Sequence, residues 1–140
     1  MSIKYFSEDI VFPKLKRRKT SAWINIVIHS EGKYSGDISF VFCSDAYLLE
    51  INKEFLKHDY YTDIVTFDYV VGDVISGDIF ISLERIVENS IEFQTTFENE
   101  LSRVLVHGVL HLIGYKDKNE KDKLLMTERE NYYIKVLIDS

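Results

Sequence analysis

From Phe97 to Ile113 the apolar residues fall on nearly every side of a helix: Phe97, Leu101, Val104, Leu105, Val109, Leu110 and Leu112. A helix that is apolar all round must be covered all round. The remaining elements therefore have to pack about this one, which makes it central and buried. Two histidines interrupt it. His107 and His111 stand four residues apart, so both imidazoles leave one helix face, about 5–6 Å apart at Cβ. Gly114 ends the helix, and Asp117 lies three residues beyond it, where the chain can fold back and supply an oxygen. Two imidazoles and a carboxylate leave one coordination position for water, the arrangement of a hydrolytic metal rather than a structural one. A single histidine in an apolar helix is more often a hydrogen-bonded core residue. The pair together with the carboxylate carries the metal reading. Zinc, one ion per chain, is the default for this donor set, and nickel or copper binds at least comparably by raw affinity.

Position 108 is glycine, so the glutamate of the peptidase pattern H-E-x-x-H is missing. That counts against a zinc peptidase with a helix-borne general base. Gly108 also costs the helix about 1 kcal/mol relative to alanine, and close approach of another element is the expected compensation.

The other elements follow from shorter signals. Ile3 to Phe6 reads as a strand. Pro13 suits a first helical turn, and the helix runs to about Ser30 with Leu15, Ala22, Trp23, Ile26 and Val27 at helical spacing. Gly32, Gly36 and Asp37 punctuate, and Ile38 to Cys43 is a strand. Ser44 caps a helix carrying Leu48, Leu49, Ile51 and Phe55. Lys57 to Thr62 is a polar loop. Ile64 to Val71 and Ser76 to Ser82 are β segments on either side of a turn at Gly72-Asp73, and they are expected to pair. Ser82 caps a helix with Leu83, Ile86, Val87 and Ile91. Asn119 to Leu137 is the last helix, with Leu125, Met126, Tyr132, Tyr133 and Val136 inward. The pattern predicts a single α+β domain over residues 1–140, with a mixed sheet of about four strands packed with helices.

The balance of 46% hydrophobic and 29% charged residues is that of a globular chain. No window of about 18 apolar residues is present to span a membrane. The first residues carry no basic-then-apolar leader pattern. Cys43 is the sole cysteine. Together these point to the cytoplasm. A net charge of −6 argues against non-specific coating of nucleic acid, DNA included. Two basic clusters stand out locally: Lys14, Lys16, Arg17, Arg18 and Lys19, and then Lys116, Lys118, Lys121 and Lys123. Each reads first as a solvated face, and the second flanks the candidate chemistry. Asp78 reads as a structural hydrogen-bonding residue.

With these residues in view, the chain resembles the YbeY family, the bacterial metal-dependent endoribonucleases of ribosomal RNA maturation. The family signature H-G-x-L-H-L-x-G-Y-D-H stands here as His107-Gly-Val-Leu-His-Leu-Ile-Gly-Tyr-Lys-Asp117. Two further blocks come in family order, Thr62-Asp-Ile-Val-Thr-Phe67 and Gly77-Asp-Ile-Phe-Ile-Ser82. Met126 and Glu130 also fall at family positions. The resemblance implies zinc held by His107, His111 and Asp117. It implies single-stranded ribosomal RNA as substrate, ribosomal particles as partners, a role at the small-subunit 3′ end and in ribosome quality control, and no membrane attachment.

Two departures from the family matter. The third ligand is usually histidine and is Asp117 here, which adds negative charge and makes bound water less acidic. The arginine that family members carry is Leu56 here. Lys57 or His58 is expected near the site in its place, as a catalytic cation. Lys116 and Lys118 are expected to contact substrate. Tyr60, Tyr61 and Phe55 are candidates for base stacking, with a core role for Phe55 weighed beside it. Two other readings stay open: a different zinc hydrolase, and a ribosome-associated assembly protein with weak or lost catalysis.

Overall fold

The computed structural model describes residues 2–57 and 62–140. Four strands form one sheet in the order β1-β2-β4-β3, from β1 (Ile3–Ser7), β2 (Tyr34–Cys43), β3 (Ile64–Asp68) and β4 (Val74–Ser82). β1 and β4 both run parallel to β2, and β3 runs antiparallel to β4. Five helices accompany them among the described residues: α1 (Arg17–Ser30), α2 (Asp45–Leu56), α3 (Leu83–Glu92), α4 (Phe97–Ile113) and α5 (Glu120–Ile138). The fold is the expected α+β layer with a mixed four-stranded sheet.

Strand alternation divides the core in two. Ile38, Phe40 and Phe42 of β2 and Ile75, Ile79 and Ile81 of β4 face α1 and α4 in the main cluster. Cys43, Val65, Phe67 and Phe80 face α2, where Leu48, Ile51 and Leu56 close a smaller one. α4 lies between the sheet on one side and α1, α3 and α5 on the others, with Leu101, Val104, Leu105, Val106, Val109, Leu110 and Leu112 buried. The central helix is therefore covered over most of its surface, and the stripe of Arg103, His107 and His111 keeps partial exposure. Gly108 is where the sheet comes closest. A Cβ there would lie 2.9 Å from Ile64 Cδ1 and 3.0 Å from Ile79 Cγ2, which is the compensation for its poor helix propensity.

The expected caps Ser44 and Ser82 accept a backbone N–H three residues on, from Tyr47 and Arg85, and Thr96 and Asn119 do the same for α4 and α5, from Asn99 and Asp122. Three expectations are corrected. α1 starts at Arg17 rather than near Pro13, because the preceding residues are drawn to the core: Phe12 packs edge-on to Phe42 at 5.5 Å and Leu15 joins the main cluster. β2 begins at Tyr34 and runs through Gly36 with a register shift between Ser35 and Ile38, held by β4 beside it. On α5, Leu125 and Tyr132 are 46% and 52% exposed, and the inward stripe is Met126, Glu130, Tyr133 and Ile134. The Arg129 guanidinium lies 4.9 Å from the Tyr132 ring centre and keeps that ring outside.

Candidate metal centre

α4 delivers both histidines near its C-terminal end, and the loop that follows returns the carboxylate. His107 Nε2 and His111 Nε2 are 3.0 Å apart, and Asp117 Oδ2 is 3.3 Å from the first and 3.4 Å from the second. Donors placed tetrahedrally about one ion at 2.0–2.1 Å would be separated by about 3.3–3.4 Å. The three donor atoms therefore already stand near the spacing of a zinc site. All three residues keep partial exposure, 21%, 27% and 39% for their side chains, so the open side faces solvent.

The helix must stop for Asp117 to turn back. Gly114 takes φ 125°, a value costly for any residue with a Cβ. The N–H groups of Gly114 and Tyr115 both return to the Leu110 carbonyl, at 3.1 and 3.0 Å, a hydrogen-bonded C-terminal hook. The hook sets Tyr115 so that its carbonyl receives His111 Nδ1–H at 3.1 Å. A carbonyl only accepts, so the His111 lone pair sits on Nε2, toward the other donors.

His107 is oriented from further away. Its Nδ1 meets Glu130 Oε2 of α5 at 2.5 Å, and Glu130 Oε1 accepts from Arg103 Nη1 at 2.9 Å. This is the carboxylate–histidine arrangement that fixes the tautomer of metal-binding imidazoles and raises their basicity. The two rings titrate in opposite directions. Burial resists charge on His107, but the Glu130 hydrogen bond and charge, then Asp117 and Asp63, outweigh it and raise the pKa. Burial, followed by the proximity of His107, lowers that of His111. Two Nε2 lone pairs at 3.0 Å beside a carboxylate call for a cation between them, and this donor set fits zinc.

A second network steadies the loop. Glu31, just beyond α1, accepts from the Tyr115 hydroxyl at 2.5 Å, from the Tyr133 hydroxyl, and faces Arg129 Nη1 at 3.5 Å. Trp23 Nε1–H donates to the Tyr133 carbonyl at 2.7 Å. α1 and α5 thus hold the residue that anchors His111 and leads to Asp117.

The structure brings His107, His111 and Asp117 together. Lys116 and Lys118 are exposed on either side of Asp117. Lys57 is exposed at the end of α2 with φ 60°, and no hydrogen bond or ion pair among the described residues joins it to the histidines. His58, Tyr60 and Tyr61 lie outside the described residues. Leu56 packs into the smaller core, and Phe55 is 60% exposed, edge-on to Phe67 at 5.9 Å, so it is not core. Asp78 accepts from the Tyr69 hydroxyl at 3.2 Å, a structural hydrogen bond. Sequence reasoning missed the parts played by Glu130, Arg103, Glu31 and Tyr133. Only Glu130 left a signal, as a residue at a family position on α5.

Comparison with known proteins gives the family of the chain. The profile of the family described as endoribonuclease YbeY matches residues 4–137. Endoribonuclease YbeY of Parabacteroides distasonis is 47% identical, covering 98% of this chain and 96% of its own. That of Flavobacterium johnsoniae is 53% identical over 90% and 91%. A solution structure from Thermotoga maritima superimposes with TM-score 0.66 at 28% identity, covering 97% of this chain and 89% of its own. With the signature, the fold and nearly the full length in agreement, the chain belongs to the endoribonuclease YbeY family.

Proposed function

We propose that this protein is a zinc-dependent endoribonuclease specific for single-stranded RNA, acting in the cytoplasm on ribosomal particles during small-subunit rRNA 3′-end maturation and ribosome quality control. The observation that carries the reading is the convergence of His107 Nε2, His111 Nε2 and Asp117 Oδ2 at separations of 3.0–3.4 Å. Family membership supports RNA as the substrate class. No helix among the described residues is long and apolar enough to cross a membrane.

His107, His111 and Asp117 would hold the ion. When bound, zinc supplies a Lewis acid for a phosphoryl oxygen and makes its water a nucleophile near neutral pH. The chain's own groups do the rest. Glu130 and the Tyr115 carbonyl keep both imidazoles in the Nε2-ligating tautomer. Asp117 contributes negative charge in place of a third imidazole. Lys116 and Lys118 face solvent beside it and can neutralise charge that develops on the phosphate. Arg103 is held by Glu130 and by Asn131 Oδ1 at 2.7 Å, so it orients rather than reacts. The position of the family arginine is filled by Leu56, and Lys57 or His58 is the proposed substitute.

The test is elemental mass spectrometry of purified protein beside His107→Ala, His111→Ala and Asp117→Ala, followed by cleavage of single- and double-stranded RNA. About one metal per chain, lost in all three variants together with single-strand cleavage, is the expected result. Metal retained in Asp117→Ala would remove the third ligand. Wild-type protein that binds zinc without cutting RNA would favour the assembly role.

A further inference from the structure

The remaining strong feature is a concentration of positive charge remote from the metal ligands. Lys14, Lys16, Arg17, Arg18 and Lys19 are all exposed in a chain of net charge −6. No ion pair among the described residues engages any of them. Arg17 alone is occupied, over the Phe12 ring at 4.3 Å. Folding does not account for the cluster. The first turn of α1 holds three cations and no acidic residue, and Lys16 caps it without a side-chain hydrogen bond. Cations at that end oppose the helix dipole.

The cluster borders two grooves. One, of about 640 Å³ between α1, α4 and α5, has Lys14, Lys16 and Lys19 at its edge and Leu15, Leu101 and Leu137 along its floor. The other, of about 450 Å³ between α1 and β1, is lined by Lys4, Arg17 and Arg18, with Phe6 46% exposed beside them. Cations spaced along grooves with an exposed ring and apolar floor suit a flexible polyanion that carries flat bases.

We propose that this surface holds single-stranded RNA at a distance from the scissile bond, a reading that rests on the endoribonuclease function above. Glu98 lines the first groove and precedes His111 by 13 residues of α4, about 20 Å along the helix axis. At about 3.4 Å per stacked nucleotide, the axial span alone takes roughly six nucleotides, and because 13 steps of about 100° also put Glu98 on a different side of α4 from His111, a strand joining the two has to pass round the surface and be longer. The patch would engage a long RNA together with the metal site and would leave a dinucleotide untouched.

The experiment combines Lys14→Gln, Lys16→Gln, Arg18→Gln and Lys19→Gln in zinc-loaded protein. Binding of a 12-nucleotide single-stranded RNA is read by fluorescence anisotropy against salt, and cleavage of that RNA and of a dinucleotide by product analysis. The expected result is at least tenfold weaker binding and slower kcat/KM for the 12-mer at low salt. Dinucleotide cleavage and the thermal midpoint should not fall. The slope of log affinity against log salt should shrink by up to about 3, at about 0.7 for each of four phosphates. A variant equal to wild type on the 12-mer overturns the proposal and leaves the endoribonuclease reading standing. Equal losses on both substrates also overturn it, by showing damage at the metal site. Wild-type protein that binds the 12-mer through the patch without cutting either RNA keeps the surface and sinks the enzymatic reading; one that does neither sinks both. If RNA binding is unchanged but a poly-glutamate peptide is lost, the surface belongs to an acidic protein instead.

Discussion

The two ends of α4 are built on opposite plans. At its C-terminal end, both histidine Nδ1 atoms and the Tyr115 hydroxyl have partners, drawn from the loop after α4, from α5 and from the segment after α1. Beside its N-terminal end lie the cations of residues 14–19, exposed and uncapped. Chemistry at a metal needs donors fixed within fractions of an ångström, so those side chains are tied down. A surface that meets a mobile polyanion needs charge that is not already neutralised. Tied-down donors at one end of α4 and exposed cations of the α1 region beside the other thus mark two kinds of work.

The largest break in this contrast is expected from Glu130→Ala. It removes the partner of both His107 and Arg103 from a side chain only 8% exposed. Zinc affinity should fall about 10- to 100-fold, read by competition with a chromogenic chelator. Folding stability should fall by about 2 kcal/mol, less than for a fully buried pair because the Arg103 side chain is 31% exposed. Unchanged zinc affinity would reduce Glu130 to a packing residue.

Glu31→Gln should have a smaller effect. The two phenols donate to different carboxylate oxygens, and glutamine replaces one of these with an NH2 that only donates, so one phenol loses its acceptor and Arg129 loses its ion pair. Zinc affinity should weaken severalfold, with about 1 kcal/mol of stability lost. If Glu31 acts through its hold on Tyr115, then in a Tyr115→Phe background the same change should weaken zinc affinity much less. An equal loss in both backgrounds would disprove that route.

The smallest effect comes from Glu100, which is 5% exposed in the first turn of α4. Burial, then repulsion from Asp63 and Glu130, raises its pKa although Arg103 lowers it. A folded-state pKa above the unfolded value contributes stability only while the group is protonated, and that contribution is lost as pH rises through the folded pKa. Glu100→Gln should therefore melt higher than wild type at pH 7, and the gap should close as pH approaches about 4. Parallel melting curves at both pH values would contradict the assignment.

What could be read ahead was local. The bounds of α4, the serine caps at Ser44 and Ser82, and the pair His107–His111 with Asp117 all depend on residues within about one or two turns of each other. Gly108 was legible as a close approach, though not what it approaches. Glu31 was not legible, because its partners Tyr115 and Tyr133 are 84 and 102 positions away. No periodicity reports such a meeting. The start of α1 was misplaced for the same reason, since Phe42 lies beyond any local window around Phe12.

That difference in span has a kinetic consequence. The three metal donors are separated by only four and six positions, so bringing them near one another costs little loop entropy. The groups that fix their aim join the first quarter of the chain to its last helix, a closure of high contact order. A ribosome-bound chain that has emerged only through Asp117 would carry every donor yet lack Glu130 and Tyr133. On the proposed function, tight metal capture is then expected only after α5 has folded back onto α4.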